Sequence, residues 1–414
     1  MIEENNFGKI EDYEKIHKKI FDNCKKLRGL KKDIKTDWSC PAEMHLRKST
    51  LRGKDTLTLT ITLSPFGCEW ARKGGCTMCG EFESISQRQE IANDPKFHIS
   101  QFVSGLTNEN MWSAVKESRL SISRLRIYQE GNYTNTNETS KIAQIKILKL
   151  ATLIKGLEKV TIEARPQYIK EDIIKEFYEI FKDSGIELEI GMGLEAKNDV
   201  VRNVCINKAG TENQFKNAIK IMQKYNISPL AYILLKPPFL TEREAIIEAI
   251  STVKYANELG FKRISLEPMS IHGFTLVDAL KQNNLYSTPW FWSVIKVLEE
   301  CQNFNVRPGV GGIGYFPLPE EFAQNKCKKC NKEIIDAIIE YNKAKKIEHF
   351  KELKKCECYE KWLNEINYIE KTPLRKRIEN QIYIVEKNIN NYKVSKHKKV
   401  ESDARVLYEQ VQNE

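Results

Sequence analysis

At 414 residues and 41% hydrophobic composition, the chain can bury a large core, either in one big domain with appendages or in two. The N-terminus, Met1-Ile2-Glu3-Glu4-Asn5, has no basic or apolar signal region and no apolar run reaches membrane length, so a cytoplasmic chain with no membrane partner is expected. Eleven cysteines then point to metal ligation in a reducing compartment, and the net charge of +10 suits either a polyanionic partner or an ordinary lysine-rich surface.

Residues 1–50 read as a basic helical leader. Glu11 to Leu30 has helical character, and Lys25, Lys26, Arg28, Lys31, Lys32 and Lys35 follow one another closely, with Arg47, Lys48, Arg52 and Lys54 beyond. Such a run tracks phosphates or forms a solvated face. Cys24 and Cys40 have no neighbour at metal-ligand spacing and read as ordinary thiols.

From Thr56 to Leu63 threonine alternates with leucine or isoleucine, the period of a strand. Further strands are expected at Arg124–Tyr128, Val160–Ala164, Ile186–Gly191, Leu230–Leu235 and Arg263–Leu266. Helices fall between them, among them Glu171–Ser184 and the stretches near 211–226 and 242–260. Six βα units imply a parallel sheet over residues 51–305, as an open doubly wound sheet or a partial barrel. Either way, the loop after the first strand sits at the C-terminal mouth.

That loop holds Cys68, Cys76 and Cys79 as C-x7-C-x2-C among glycines. Three thiolates are one short of a closed structural zinc site. They suit a [4Fe–4S] cluster with one iron open to an outside ligand. A zinc knuckle with its fourth ligand elsewhere, or three unrelated thiols, remain alternatives. Gly74, Gly75 and Gly80 are expected to supply φ > 0 for the wrap. Polar residues stand at the later strand ends: Gln129-Glu130-Gly131-Asn132, then Glu163 with Arg165, then Glu195, then Lys236. Glu163 and Arg165, two apart, would share a face of an extended chain.

A second cysteine set, Cys327-Lys328-Lys329-Cys330 and Cys356-Glu357-Cys358, lies in an extension over 306–360, with a helix from Lys332 to Ala344 between the pairs. Four thiolates favour zinc, with an auxiliary iron–sulfur cluster as the competitor. Cys205, Cys301 and the aromatic run Trp290-Phe291-Trp292 read as core, while His272 and Gly273 read as substrate-side residues. Residues 361–414 form a charged helical tail with Arg375-Lys376-Arg377 and Lys396-His397-Lys398-Lys399, suited to RNA, to a partner or to solvent.

The loop from Leu63-Ser64-Pro65-Phe66-Gly67-Cys68 to Gly75-Cys76-Thr77-Met78-Cys79-Gly80 resembles that of radical S-adenosylmethionine (SAM) enzymes. Glu163-Ala164-Arg165-Pro166, Gly193-Leu194-Glu195, Ile206-Asn207-Lys208, Leu235-Lys236-Pro237-Pro238-Phe239 and Pro289-Trp290-Phe291-Trp292-Ser293 narrow the resemblance to the archaeosine-biosynthesis radical SAM family, itself similar to the Elongator catalytic subunit. It covers about residues 50–360. The spacing departs from the superfamily's commonest C-x3-C-x2-C, and Met78 stands where an aromatic is usual. The resemblance implies an α/β partial (β/α)6 TIM-type barrel, with a C-terminal four-cysteine extension and a helical tail. Cys68, Cys76 and Cys79 would hold the [4Fe–4S] cluster, whose fourth iron would chelate SAM. One electron from a flavodoxin or ferredoxin would cleave SAM to a 5′-deoxyadenosyl radical. Met78 would lie near the adenine, Gly131 and Asn132 with Glu130 at the methionyl amino group, and Glu163, Arg165 and Glu195 at ribose and carboxylate. The implied substrate is tRNA carrying a lysine adduct on a deazaguanine base, made by a lysine-transferring archaeosine synthase-type partner. A small-molecule or peptide substrate is the alternative within the class. A non-enzymatic zinc-binding nucleic-acid module is the alternative outside it.

Overall fold

The computed structural model describes residues 6–31, 39–41, 43–63, 68–80, 94–129, 131–312, 319–327, 329–351, 353 and 356–394. Glu130, Lys32, Lys35, Lys328 and Lys396–Lys399 therefore lie outside the described residues.

Helix α1 (Glu14–Gly29) precedes a hairpin of β1 (Glu43–Leu51) and β2 (Lys54–Leu63). The cysteine loop with its short helix α2 (Glu69–Lys73) comes next, then α3 (Pro95–Leu106) and α4 (Glu109–Ser118). Strand β3 (Ile122–Gln129) leads to α5 (Lys141–Ala151), β4 (Lys159–Glu163) to α6 (Glu171–Phe181), and β5 (Glu187–Glu195) to α7 (Glu212–Lys224). Strand β6 (Ser228–Leu235) leads to α8 (Glu242–Leu259), and β7 (Arg263–Pro268) to α9 (Leu276–Gln282) and α10 (Phe291–Glu300). The two-residue β8 (Gly309–Val310), α11 (Asn331–Ala344), α12 (Cys358–Asn367) and α13 (Leu374–Asn388) complete the order.

All eight strands join one sheet in the order β1 to β8. A doubly wound sheet would reverse its order at a switch point. Here the order is strictly sequential, so the curled sheet is of partial-barrel type. β2 to β7 run parallel as expected, with β8 added in parallel at one edge and β1 antiparallel at the other. Segment 1–50, read as a leader, thus contributes a strand to the sheet. The alternation in β2 sends Leu57, Leu59, Ile61 and Leu63 into the core beneath the helices and turns Thr58, Thr60 and Thr62 to the lumen. Side-chain caps set several helix starts, with reciprocal capping boxes at Thr211/Gln214 and Thr241/Glu244.

A second apolar cluster lies around α1. Its buried stripe, Ile16, Ile20, Cys24 and Leu27, packs with α9 residues Leu276 and Leu280 and with Ile378, Ile382 and Val385 of α13. Cys205 and Cys301 are buried core thiols, as the sequence suggests. No helix among the described residues is long and apolar enough to cross a membrane.

Candidate functional site

The cysteine loop leaves β2 at its C-terminal end, with Cys68 as the N-cap of α2. Gly74 and Gly75 take φ of 141° and 66°, as the wrap needs. Gly80 does not adopt positive φ. Its role is space instead, because a Cβ there would lie 2.5 Å from the Cβ of His272. His272 is buried under this loop, and burial pushes its imidazole down to about 4.

Two parts of the chain, α1 and residues 205–207, pin the loop. Arg28 of α1 donates to the carbonyl oxygens of Ala71 (2.9 Å) and Cys76 (2.7 Å), with Cys79 at 3.5 Å. The Asn207 amide donates to the Gly75 carbonyl at 2.6 Å, and the Trp70 indole donates to the Asn207 carbonyl at 2.7 Å. Thr77 donates through its backbone N–H to Ile206 O and through its hydroxyl to Cys205 O. Met78 and Cys76 pack against the apolar cluster that contains α1. Arg28, counted in a basic run by sequence, therefore faces the loop instead of solvent.

The end of β3 is organised by Glu138, a residue that sequence reasoning did not single out. Its buried carboxylate accepts from the Asn132 backbone and side-chain N–H groups, from Asn135 Nδ2 (2.8 Å) and from the backbone N–H of Glu69 (3.0 Å). Burial raises its pKa, and these donors offset part of the rise. A Cβ at Gly131 would overlap the Glu138 carboxylate and lie 3.4 Å from the Cα of Cys68. Asn132 is itself a cross-link, since its Oδ1 accepts from the Arg165 backbone N–H at 2.7 Å.

β4 ends at Glu163, and Arg165 keeps extended backbone angles (φ -87°, ψ 145°) just before the 3-10 turn Pro166–Tyr168, with buried Ala164 between the two. Arg165 lies over the Trp70 ring at 5.4 Å and donates to the Lys208 and Ala209 carbonyls. Glu163 stays on the lumen face of its strand. Glu195, in left-handed conformation at a bulge, pairs with Lys208 Nζ at 2.7 Å. Burial opposes charge on Lys208, but the Glu195 carboxylate more than offsets it and raises the ammonium above its ordinary value. Lys236 forms a buried ion pair with Glu242 (2.7 Å), which also accepts from Trp290 N and Ser293 Oγ, so it braces β6 against α8 and α10.

The four C-terminal cysteines converge. Their sulfurs stand 3.5 Å (Cys327–Cys330), 3.8 Å (Cys327–Cys356), 3.5 Å (Cys330–Cys358) and 3.4 Å (Cys356–Cys358) apart. Trp292 Nε1 points at Cys358 Sγ (3.1 Å) and Asn325 Nδ2 at Cys330 Sγ (3.2 Å). Trp292, read as core, is core and also a donor to this centre. Among the described residues this is the one set of three or more His, Cys, Asp or Glu whose ligand atoms all lie within 4.8 Å.

No protein-family model matches the chain. It is 33% identical over 311 residues to an uncharacterized protein of Methanocaldococcus jannaschii, covering 74% of this chain and 80% of that one. It is 28% identical over 326 residues to the archaeosine synthase subunit beta of Methanosarcina acetivorans, covering 78% and 88%. A solved structure of Escherichia coli coproporphyrinogen III oxidase, described as a radical SAM enzyme, matches 55% of this chain and 48% of its own at 18% identity and a TM-score of 0.37. The chain belongs to the family of that Methanocaldococcus jannaschii protein and is similar to the archaeosine synthase beta subunits.

Proposed function

We propose that Cys68, Cys76 and Cys79 hold a [4Fe–4S] cluster whose open iron binds SAM, and that the enzyme modifies a nucleoside in tRNA. The reaction would be archaeosine-type cleavage of a lysine C–N bond, leaving a formamidine on a deazaguanine base. The observation that carries this reading is the convergence of the three cysteines on one loop at the C-terminal mouth of six parallel strands. The donor set fits a cluster with one open iron: three thiols on a backbone pinned by Arg28, Thr77 and Asn207.

Bound there, the cluster and SAM would supply a 5′-deoxyadenosyl radical able to abstract a substrate hydrogen. The protein's own residues bind and orient. Asn132 and the Gly131 backbone, fixed by Glu138, are the proposed seat of the methionyl amino group. The Glu195–Lys208 pair and Arg165 are proposed at SAM's carboxylate and ribose, with Met78 and Glu163 completing the surround. A lysine-transferring synthase and a flavodoxin or ferredoxin are the proposed partners, and the cytoplasm the proposed compartment. The name of the archaeal relative supports this substrate over a peptide or small molecule.

The C-terminal centre is proposed to hold zinc. A tetrahedral site with Zn–S near about 2.3 Å has sulfur–sulfur edges of about 3.8 Å. The observed 3.4–3.8 Å edges match one ion and are too short for thiolates spread around a cluster. The decisive experiment is anaerobic incubation with SAM, dithionite and tRNA bearing the lysine adduct, read by nucleoside mass spectrometry. Archaeosine with stoichiometric 5′-deoxyadenosine is expected. Uncoupled SAM cleavage with unchanged tRNA would remove the tRNA reading.

A further inference from the structure

The lumen face of the sheet carries charges that the cysteine loop does not use. Alternation along β3 buries Leu125 and Ile127 in the core and turns Arg124, Arg126 and Tyr128 to the lumen. Across from them, Glu189 of β5 is already satisfied. Arg263 donates to its oxygens at 2.9 and 2.6 Å, the Thr161 hydroxyl lies at 3.0 Å, and Lys159 Nζ lies at 3.4 Å. That carboxylate bonds Arg263 and Lys159, and its charge also acts on Arg124 without a hydrogen bond to it. Among the described residues, Arg124 and Arg126 make no hydrogen bond or ion pair, and the Nε of each is buried and unpartnered. Burial, then the neighbouring charges of Arg126 and Arg263, push the Arg124 guanidinium down to about 10.

Besides Glu163 and Glu189, a further carboxyl faces this positive charge. Glu267 of β7 accepts from the Ser265 hydroxyl at 2.7 Å, and burial pushes it up to about 6, with the Arg126 charge opposing the rise. The backbone beside it bears no side chains. A Cβ at Gly312 would lie 2.9 Å from Glu267 Oε2, and one at Gly311 would lie 2.6 Å from Ser265 Oγ. By register, Arg126 stands opposite Thr60, three residues before the end of β2. At about 3.3 Å per residue that is about 10 Å below the mouth.

We propose that Arg124, Arg126 and Glu267 form a seat for an α-amino-acid head group, the arginines taking its carboxylate and Glu267 its ammonium. A phosphate would satisfy the arginines but be repelled by Glu267, whereas a zwitterion answers both signs. The depth suits a straight side chain that leaves its far end at the mouth. The inference rests on the proposed function for the identity of the probe, and it assigns the part of the substrate that enters the barrel.

The test is equilibrium dialysis of the full chain, anaerobically reconstituted, with labelled L-lysine. Competitors are cadaverine, which lacks the carboxylate, and 6-aminohexanoate, which lacks the α-ammonium. Each should compete about tenfold or more weakly than lysine itself, a difference of about 1.4 kcal/mol. Arg126→Gln should erase the discrimination against cadaverine, and Glu267→Gln that against 6-aminohexanoate. Should either variant fail to fold, the wild-type competitor series decides alone. Absence of lysine binding, or equal competition by all three, would overturn the seat. Archaeosine formation alongside equal competition removes the seat and keeps the function. Sharp discrimination without tRNA-dependent SAM cleavage does the reverse.

Discussion

The guanidinium of Arg28, on the first helix, donates to the carbonyl oxygen of Cys76 at 2.7 Å, which ties the N-terminal segment to the cysteine loop. The same side chain reaches Ala71 at 2.9 Å, so one cation holds both sides of the turn around Gly74 and Gly75. Hydrogen bonds from a charged donor contribute about 1.5–3 kcal/mol each. Arg28→Ala should therefore loosen the loop while α1 stays packed through Ile16, Ile20 and Leu27. Iron release to a chelator is the measurement, with faster loss expected from Arg28→Ala than from Arg28→Lys. Equal release rates in wild type and Arg28→Ala would count against the clamp.

Gly131 and Glu138 form a pair in which neither tolerates change. A methyl at Gly131 would displace the Glu138 carboxylate, freeing the N–H groups of Asn132, Asn135 and Glu69. Gly131→Ala should weaken SAM binding by about tenfold or more, and Glu138→Gln should weaken it less, because the amide keeps one acceptor. Isothermal titration with SAM under anaerobic conditions would distinguish them. Zinc content should be unchanged in both.

The four-cysteine centre should retain about one zinc per chain after Cys68, Cys76 and Cys79 are all replaced by alanine. Its outer donor offers a subtler probe. Trp292→Phe keeps the packing against Tyr359 but removes the N–H aimed at Cys358. Loss of such a partner lowers metal affinity about 10–100-fold. Competition with a chromophoric chelator reads that shift. Iron in place of zinc in the triple-alanine variant would overturn the assignment.

His98, wholly buried on α3, is pushed down to about 4 by burial. Its unfolded value is about 6.5, so between those values the unfolded chain binds more protons. The histidine's contribution to stability is therefore intact above about pH 6.5 and is lost as pH falls towards 4, by about 3 kcal/mol in all. Urea unfolding at pH 7, 5.5 and 4 should show a shallower acid loss in His98→Leu than in wild type. Parallel curves would mean that His98 does not carry this pH dependence.

Much of the sheet was legible because β2 to β7 are short apolar or alternating runs, which only a strand buries efficiently. β1 was not. Its sequence, with Glu43, His45, Arg47 and Lys48, has the charge of an edge strand and read as part of a basic leader. The Arg52-Gly53 turn, both residues at positive φ, was the available hairpin signal. The C-terminal cysteines were legible through spacing. Glu138 was hidden in an asparagine-rich loop, where a lone carboxylate looks solvated. Arg28 was hidden because its partners are backbone carbonyls some 43 to 51 positions away, which no local pattern encodes.

The sheet ends at β8 after only two residues, and among the described residues no ladder joins that edge to β1. A closed barrel is entered only through its ends. A curled sheet with an unsealed seam can also be entered from the side. For a polymer this changes the topology of recognition: one unit can slide in laterally while the chain on either side of it stays outside, and nothing has to be threaded.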